Sequence, residues 1–206
     1  MITLETIYWI IFAVPSILIA STIHEYSHGL MAFKLGDPTA KTEGRLTLNP
    51  IPHIDPLGAI CMILFRFGWS KPVPINEYNF KKRELGTALT ALAGPLSNIS
   101  VAIICGIINY IFQLDSQPVL GTFLVTFTMI NLALAFFNLI PIPPLDGHKI
   151  IRAILPRKIR FYWEEMEKFS IIFLILIIAP LLPSGSLASI YIVTTTTQGL
   201  RLLGFL

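Results

Sequence analysis

Charge is scarce in this chain. Fifteen Lys and Arg with twelve Asp and Glu make up 13% of 206 residues, about half the share usual in a soluble domain. Apolar residues fill 54%, more than a soluble fold of this length can cover, so a soluble globular class is excluded. Cysteine is nearly absent. Cys61 and Cys105 stand in unrelated contexts without a CxxC spacing, which excludes a disulfide framework and a thiolate metal site and leaves two small buried apolar residues. No internal repeat is visible, and no basic flank precedes the first apolar segment, so it does not read as a cleavable signal peptide.

What is present is a series of apolar runs near the length needed to cross a bilayer, about 20 residues. They fall at Ile7 to Phe33, from just after Lys81-Lys82-Arg83 to Phe112, at Leu120 to Ile140, at Phe169 to Leu182, and less strongly at Ser186 to Leu206. The expected fold is an all-α polytopic membrane bundle of about five transmembrane helices, forming one unit over residues 1–206. Its core spans residues 7–155, and residues 159–206 add peripheral helices. Residues 39–80 differ in kind. They are rich in Pro and Gly, Lys41 to Leu48 loosely alternates, and the apolar run Gly58 to Phe65 is too short to span. A small strand-containing insertion at the cytoplasmic interface is expected there.

The net charge of +3 matters less than its distribution. Lys34, Lys41, Arg45, Arg66, Lys71, Lys81, Lys82 and Arg83 lie between the first and second runs; Lys149, Arg152, Arg157, Lys158 and Arg160 lie between the third and fourth. The connections at Gln113 to Gln117 and Pro183 to Ser186 carry no Lys or Arg. By the positive-inside rule both basic segments face the cytoplasm of a cell-membrane protein, with the N-terminus outside. The Lys81-Lys82-Arg83 run is then a topology anchor, and no nucleic-acid partner is expected; the lipid bilayer is the surrounding partner.

The most informative residues are His24-Glu25-Tyr26-Ser27-His28, at the end of a run that carries no charged residue from Ile7 to Ile23. Ionisable groups in a lipid-embedded helix are costly and are kept for function. Residues i and i+4 share a helix face, so His24 and His28 can aim at one cation. Glu25, about 100° further round, is placed to touch a water that the cation activates. The alternative is a pair of buried histidines bonded to backbone or to each other. A catalytic zinc needs a third protein ligand. Asp146 is a candidate, following the helix break at Pro141, Pro143 and Pro144, with Gly147 allowing a tight turn. It could equally be the N-cap of a helix from Lys149 to Leu155, and local sequence does not choose between these. His148 reads as a surface residue at a helix start and His53 as a loop residue. Asn98 and Asn138 could donate to a developing oxyanion or form ordinary interhelical hydrogen bonds.

Three motifs now resemble one family, the site-2 proteases, which are intramembrane zinc metalloproteases. His24-Glu25-Tyr26-Ser27-His28 resembles its zinc signature. Ala93-Gly94-Pro95-Leu96-Ser97-Asn98 resembles its central-span motif, and Asn138-Leu139-Ile140-Pro141-Ile142-Pro143-Pro144-Leu145-Asp146-Gly147 its third-span signature. They occur in family order across roughly residues 8 to 155. The resemblance implies one Zn2+ per chain held by His24, His28 and Asp146, with Glu25 as catalytic base. It implies a transmembrane protein substrate cut near its cytoplasmic end, by a minimal form without PDZ or CBS domains. Residues 39–80 could offer a strand edge to an unwound substrate. Two other classes remain open at this point: a zinc-holding protein that binds transmembrane helices without cutting them, for which Glu25 is unnecessary, and a cation transporter, which would spread ionisable groups over several spans.

Overall fold

The computed structural model describes residues 4–65, 68–114, 117–180 and 182–205. Arg66 of the first basic segment, Asp115 and Ser116 of the next connection and Leu181 of the fourth apolar run lie outside the described residues.

Three long helices make the core: α1 (Val14–Lys34), α3 (Arg83–Phe112) and α4 (Pro118–Asn138). Between α1 and α3 lies the short α2 (Pro56–Phe65). After α4 come α5 (Asp146–Ile154), α6 (Arg157–Glu165), α7 (Ser170–Ile178) and α8 (Leu187–Leu202). Helix α1 continues back through a π-helical turn at Trp9–Ala13, and Pro15, which has no N–H to give that turn, follows just after it. It ends on Gly36 at φ 108°, and the Asp37 amide returns to the Ala32 carbonyl at 2.9 Å, closing the last turn. Helix α3 is the hub, packing on α1, α4 and α5, while α8 covers α4.

The packing is inverted relative to a soluble protein. Buried positions are small or polar: Ser16, Ala20, Thr22, Asn98, Ala102, Asn109, Thr126, Thr128, Asn131 and Ala135. Large apolar side chains such as Ile10, Ile19, Ile103, Ile107, Ile111 and Val119 face outward. Lipid rewards this arrangement, because small residues let helices approach and buried polar groups join them. Three helical stretches, Thr6–Lys34, Arg83–Phe112 and Pro118–Asn138, are long and apolar enough to span.

Two expectations change. The fourth apolar run yields only the nine-residue α7 before Pro180 stops it, about 14 Å of helix against a hydrocarbon core of about 30 Å. The fifth run forms α8, of 16 residues, shorter than an average span. Among the described residues three spans, not five, meet the criterion. The expected strands of residues 39–80 are also absent among the described residues. Thr39–Thr42 is a helical turn, and Gly58 to Phe65 belongs to α2. Among the described residues of this segment the only pairing is an isolated antiparallel bridge between Ile54 and Ser70. A short apolar run with no partner strand satisfies its backbone within itself, which favours helix despite its β-branched residues. The strand edge imagined for Lys41 to Leu48 therefore has no counterpart.

The rest of this segment, from Trp69 to Asn79, is a strap folded back against the end of α1. Asp37, fully buried, gathers it: the carboxylate accepts from the Thr39 amide (3.1 Å) and hydroxyl (2.5 Å), the Asn76 amide (2.7 Å) and Asn79 Nδ2 (2.7 Å). Burial alone would raise its pKa, but these donors outweigh it and hold the carboxyl below the usual range. A lowered folded value means that Asp37 stabilises fully above the ordinary carboxylate pKa, and that this is lost as pH falls through the folded value. Asp37→Asn should therefore cost about 2–3 kcal/mol at pH 7. The gap to the unsubstituted protein should narrow towards pH 3 in detergent unfolding scans.

Candidate metal centre

His24, Glu25 and His28 lie buried on the last turns of α1. Asp146 reaches them from the far end of the chain. After α4 ends at Asn138, the proline-rich turn reverses direction, and Asp146 becomes the first residue of α5. No side chain caps α5, and its N-cap is Leu145. The Asp146 carboxylate points to the imidazoles instead. His24 Nε2 lies 3.1 Å and His28 Nε2 3.2 Å from Asp146 Oδ2, and the two Nε2 atoms are 3.0 Å apart. The group could hold a metal ion.

The hydrogens show what this triangle wants. His28 Nδ1 donates to the Thr90 carbonyl at 2.6 Å, and a carbonyl can only accept. Asn98 sends both amide hydrogens elsewhere, to the Ala20 carbonyl (3.1 Å) and to Asn131 Oδ1 (2.9 Å). Its Oδ1 must then accept from His24 Nδ1, at 2.7 Å. In neutral imidazoles a proton on each Nδ1 leaves each Nε2 as a lone pair. Two lone pairs and a carboxylate oxygen then converge, an arrangement that a metal ion or a proton on one ring reconciles. The spacing suits zinc: ligands at about 2.0–2.1 Å from a tetrahedral centre stand about 3.3 Å apart.

Asn98 therefore sits behind His24 with both donors used, and it is unavailable to an oxyanion. Asn138 lines the cavity, and its Nδ2 donates to the Leu134 carbonyl at 2.9 Å. His148 is not at the surface: it is 1% exposed and stacks on Trp163, with ring centroids 5.1 Å apart. Its Nε2 donates to the Trp163 carbonyl, and Trp163 Nε1 returns the bond to the His148 carbonyl, both at 3.0 Å. This reciprocal clamp fixes α5, and with it Asp146, to α6. His53 is buried away from the centre, bonded through Nε2 to the Thr47 carbonyl.

Residue types alone did not reveal several participants. Gly94 faces the imidazole pair so closely that a Cβ there would stand 2.6 Å from His28 Cε1 and 2.7 Å from His24 Cε1. Asn131 backs Asn98. The strap supplies the rest: Glu25 Oε2 accepts from the Val73 amide at 2.8 Å, and Oε1 from the Ser70 hydroxyl at 3.1 Å. Glu25 is thus oriented by two donors from a segment 45 or more residues away in sequence. A cavity of about 210 Å3 opens over the site, bounded by α1, α3, the strap and the start of α5.

Comparison with known proteins identifies the family. Residues 105–180 match Peptidase family M50. "Putative zinc metalloprotease YwhC" of Bacillus subtilis is 38% identical over 178 residues, covering 82% of this chain and 81% of that protein. The chain belongs to peptidase family M50. This M50 protein is a zinc metalloprotease with helices fit for a membrane. "Zinc metalloprotease MJ0392" of Methanocaldococcus jannaschii is 29% identical over 154 residues, 75% of the M50 chain described here but 37% of its own length. No solved structure gives a significant match.

If Asn98 sets the His24 tautomer, Asn98→Ala should lower zinc affinity by about 10- to 100-fold. Chelator competition on purified protein checks this. Unchanged affinity would remove Asn98 from the site.

Proposed function

We propose that this M50 protein hydrolyses peptide bonds in transmembrane segments of other membrane proteins. The observation that carries the reading is the convergence of His24, His28 and Asp146, each imidazole with its Nδ1 committed behind it, buried among lipid-facing helices with Glu25 alongside. His24 Nε2, His28 Nε2 and an Asp146 oxygen would hold the zinc. When bound, zinc supplies Lewis acidity that makes water a nucleophile near neutral pH.

The protein's own groups do the remainder. Glu25, aligned by Val73 and Ser70, takes a proton from the attacking water and returns it to the departing amide nitrogen. Its carboxylate retains free lone pairs for this, since it offers about four and two are engaged. A substrate helix must unwind locally, which frees the carbonyl that is attacked.

The orientation follows the basic segments. Residues 34–83 and 149–160 flank the same ends of the three spans, so the positive-inside rule puts the site near the cytoplasmic face of the cell membrane and the N-terminus outside. Residues 7–155 serve as the protease core, 39–80 as its interfacial insertion and 159–206 as peripheral helices. Holding a helix without cutting it would not need Glu25 held so firmly beside the imidazoles.

Co-expression with candidate single-span proteins tests the reading. Glu25→Gln should reduce cleavage more than about 100-fold while zinc stays near one per chain. Equal cleavage by both proteins would refute the base, and loss of zinc would mean that Glu25 acts structurally.

A further inference from the structure

We infer that the Thr90 hydroxyl is the group that meets the carbonyl oxygen of the scissile peptide as it becomes an oxyanion. The inference rests on the proteolytic reading above but concerns a residue to which that reading gives no role.

Helix α3 carries four Ser and Thr hydroxyls, at Thr87, Thr90, Ser97 and Ser100. Three donate to a carbonyl one turn back: Thr87 to Arg83 (3.0 Å), Ser97 to Gly94 (2.7 Å) and Ser100 to Leu96 (2.8 Å). Such bonding is the ordinary resting place of a helical hydroxyl in lipid. Thr90 is the exception. The residue is 2% exposed, and its Oγ1 is buried without a hydrogen-bond partner. An unpartnered buried hydroxyl is unfavourable, so this one keeps a hydrogen to offer a ligand.

Position supplies the ligand's identity. Thr90 lines the cavity together with His24, Glu25, His28 and Asp146. Its carbonyl accepts from His28 Nδ1, which fixes this turn of α3 against the imidazole pair. One turn on, at i+4 on the same face, Gly94 lies against the same two rings. Thr90 thus stands on the wall opposite α1, in the turn of α3 that lies against the imidazole pair. Every other polar group considered for that duty is fully or partly engaged. Asn98 has spent both hydrogens, and Asn138 has one committed to Leu134. When water adds to the carbonyl carbon, the C=O π pair moves to oxygen. A hydroxyl with no bond to its own helix can turn about χ1 to donate to that oxygen without breaking a bond it already makes.

The test uses Thr90→Val, which keeps the shape and removes the hydroxyl, and Thr90→Ser, which keeps the hydroxyl. With a single-span protein that the unsubstituted chain cuts, Thr90→Val should lower kcat about 100-fold with KM changed less than about twofold. Thr90→Ser should restore kcat to within about fivefold, and zinc content should stay near one per chain in all three proteins. A second measurement needs no turnover: the affinity of a leucyl phosphinate dipeptide isostere, whose P–O− mimics the oxyanion, should fall about 10- to 100-fold in Thr90→Val and recover in Thr90→Ser. Full activity and affinity in Thr90→Val would overturn the assignment. A serine variant as poor as the valine variant would also overturn it, by showing that the methyl group matters and the hydroxyl does not. Phosphinate binding that depends on Thr90, without cleavage of any transmembrane protein, would uphold Thr90 and sink the substrate class instead. Cleavage indifferent to Thr90 would do the reverse. If neither binding nor cleavage occurs, no oxyanion is formed here and both fall.

Discussion

Three electron pairs pointed at one another are the constraint on which the rest of the molecule depends. With both imidazoles neutral and no metal between them, the Nε2 atoms of His24 and His28 and the Asp146 carboxylate would set lone pair against lone pair. Their convergence persists because each is held from behind: His24 by Asn98, His28 by the Thr90 carbonyl, and Asp146 by the His148–Trp163 clamp on α5. In lipid these outer partners matter more than in water, since nothing else can satisfy a displaced polar group. The chain of amides from His24 through Asn98 to Asn131 and the Phe127 carbonyl joins α1, α3 and α4 at one level. The metal triangle and the helix packing are therefore one problem with one solution. A helix shift that loosened the bundle would also disturb a ligand's orientation.

The strap from Trp69 to Asn79 extends the same economy to the membrane face. One end is pinned to the insertion, where the Lys71 amide donates to the His53 carbonyl and Arg45 Nη2 to the Lys71 carbonyl. The other is pinned by Asp37 and by Glu77, whose carboxylate meets Arg152 at 2.6 Å. Between these anchors the strap delivers Ser70 and Val73 to Glu25. An acidic group at the end of a span, a strap and the first turns of α5 are thus tied around one cavity.

Much of this was legible in the residues. The helical spacing of His24 and His28, with Glu25 between them, needed no tertiary information, and the three long spans followed from apolar length. Asp146 was half legible. Its residue type suited a ligand, but only the resemblance separated that role from capping, and α5 indeed begins with its carboxylate turned to the imidazoles. The insertion was misread because β-branched composition suggests strands, whereas an unpartnered apolar run closes its hydrogen bonds within itself. Of the two C-terminal runs, hydropathy does not register where Pro180 stops a helix, and the helices they form are shorter than the three core spans. Asn98 was picked out for the wrong duty: its position was visible, but the disposition of its two hydrogens was not. Ser70, Val73 and Thr90 left no local trace, since their meaning lies in which atoms approach them across the fold.

The Val73 contact has one more consequence. Its donor is a main-chain amide, so nineteen of the twenty amino acids carry it equally well and only proline abolishes it. The aim of the acidic residue is encoded there in the route of the polypeptide, and position 73 can drift in identity while the hydrogen bond survives. Pro72 and Pro74 on either side restrict that route through their fixed φ angles and their limits on the residues preceding them. Alignment of this kind is tolerant of chemical variety and intolerant of changes in chain length.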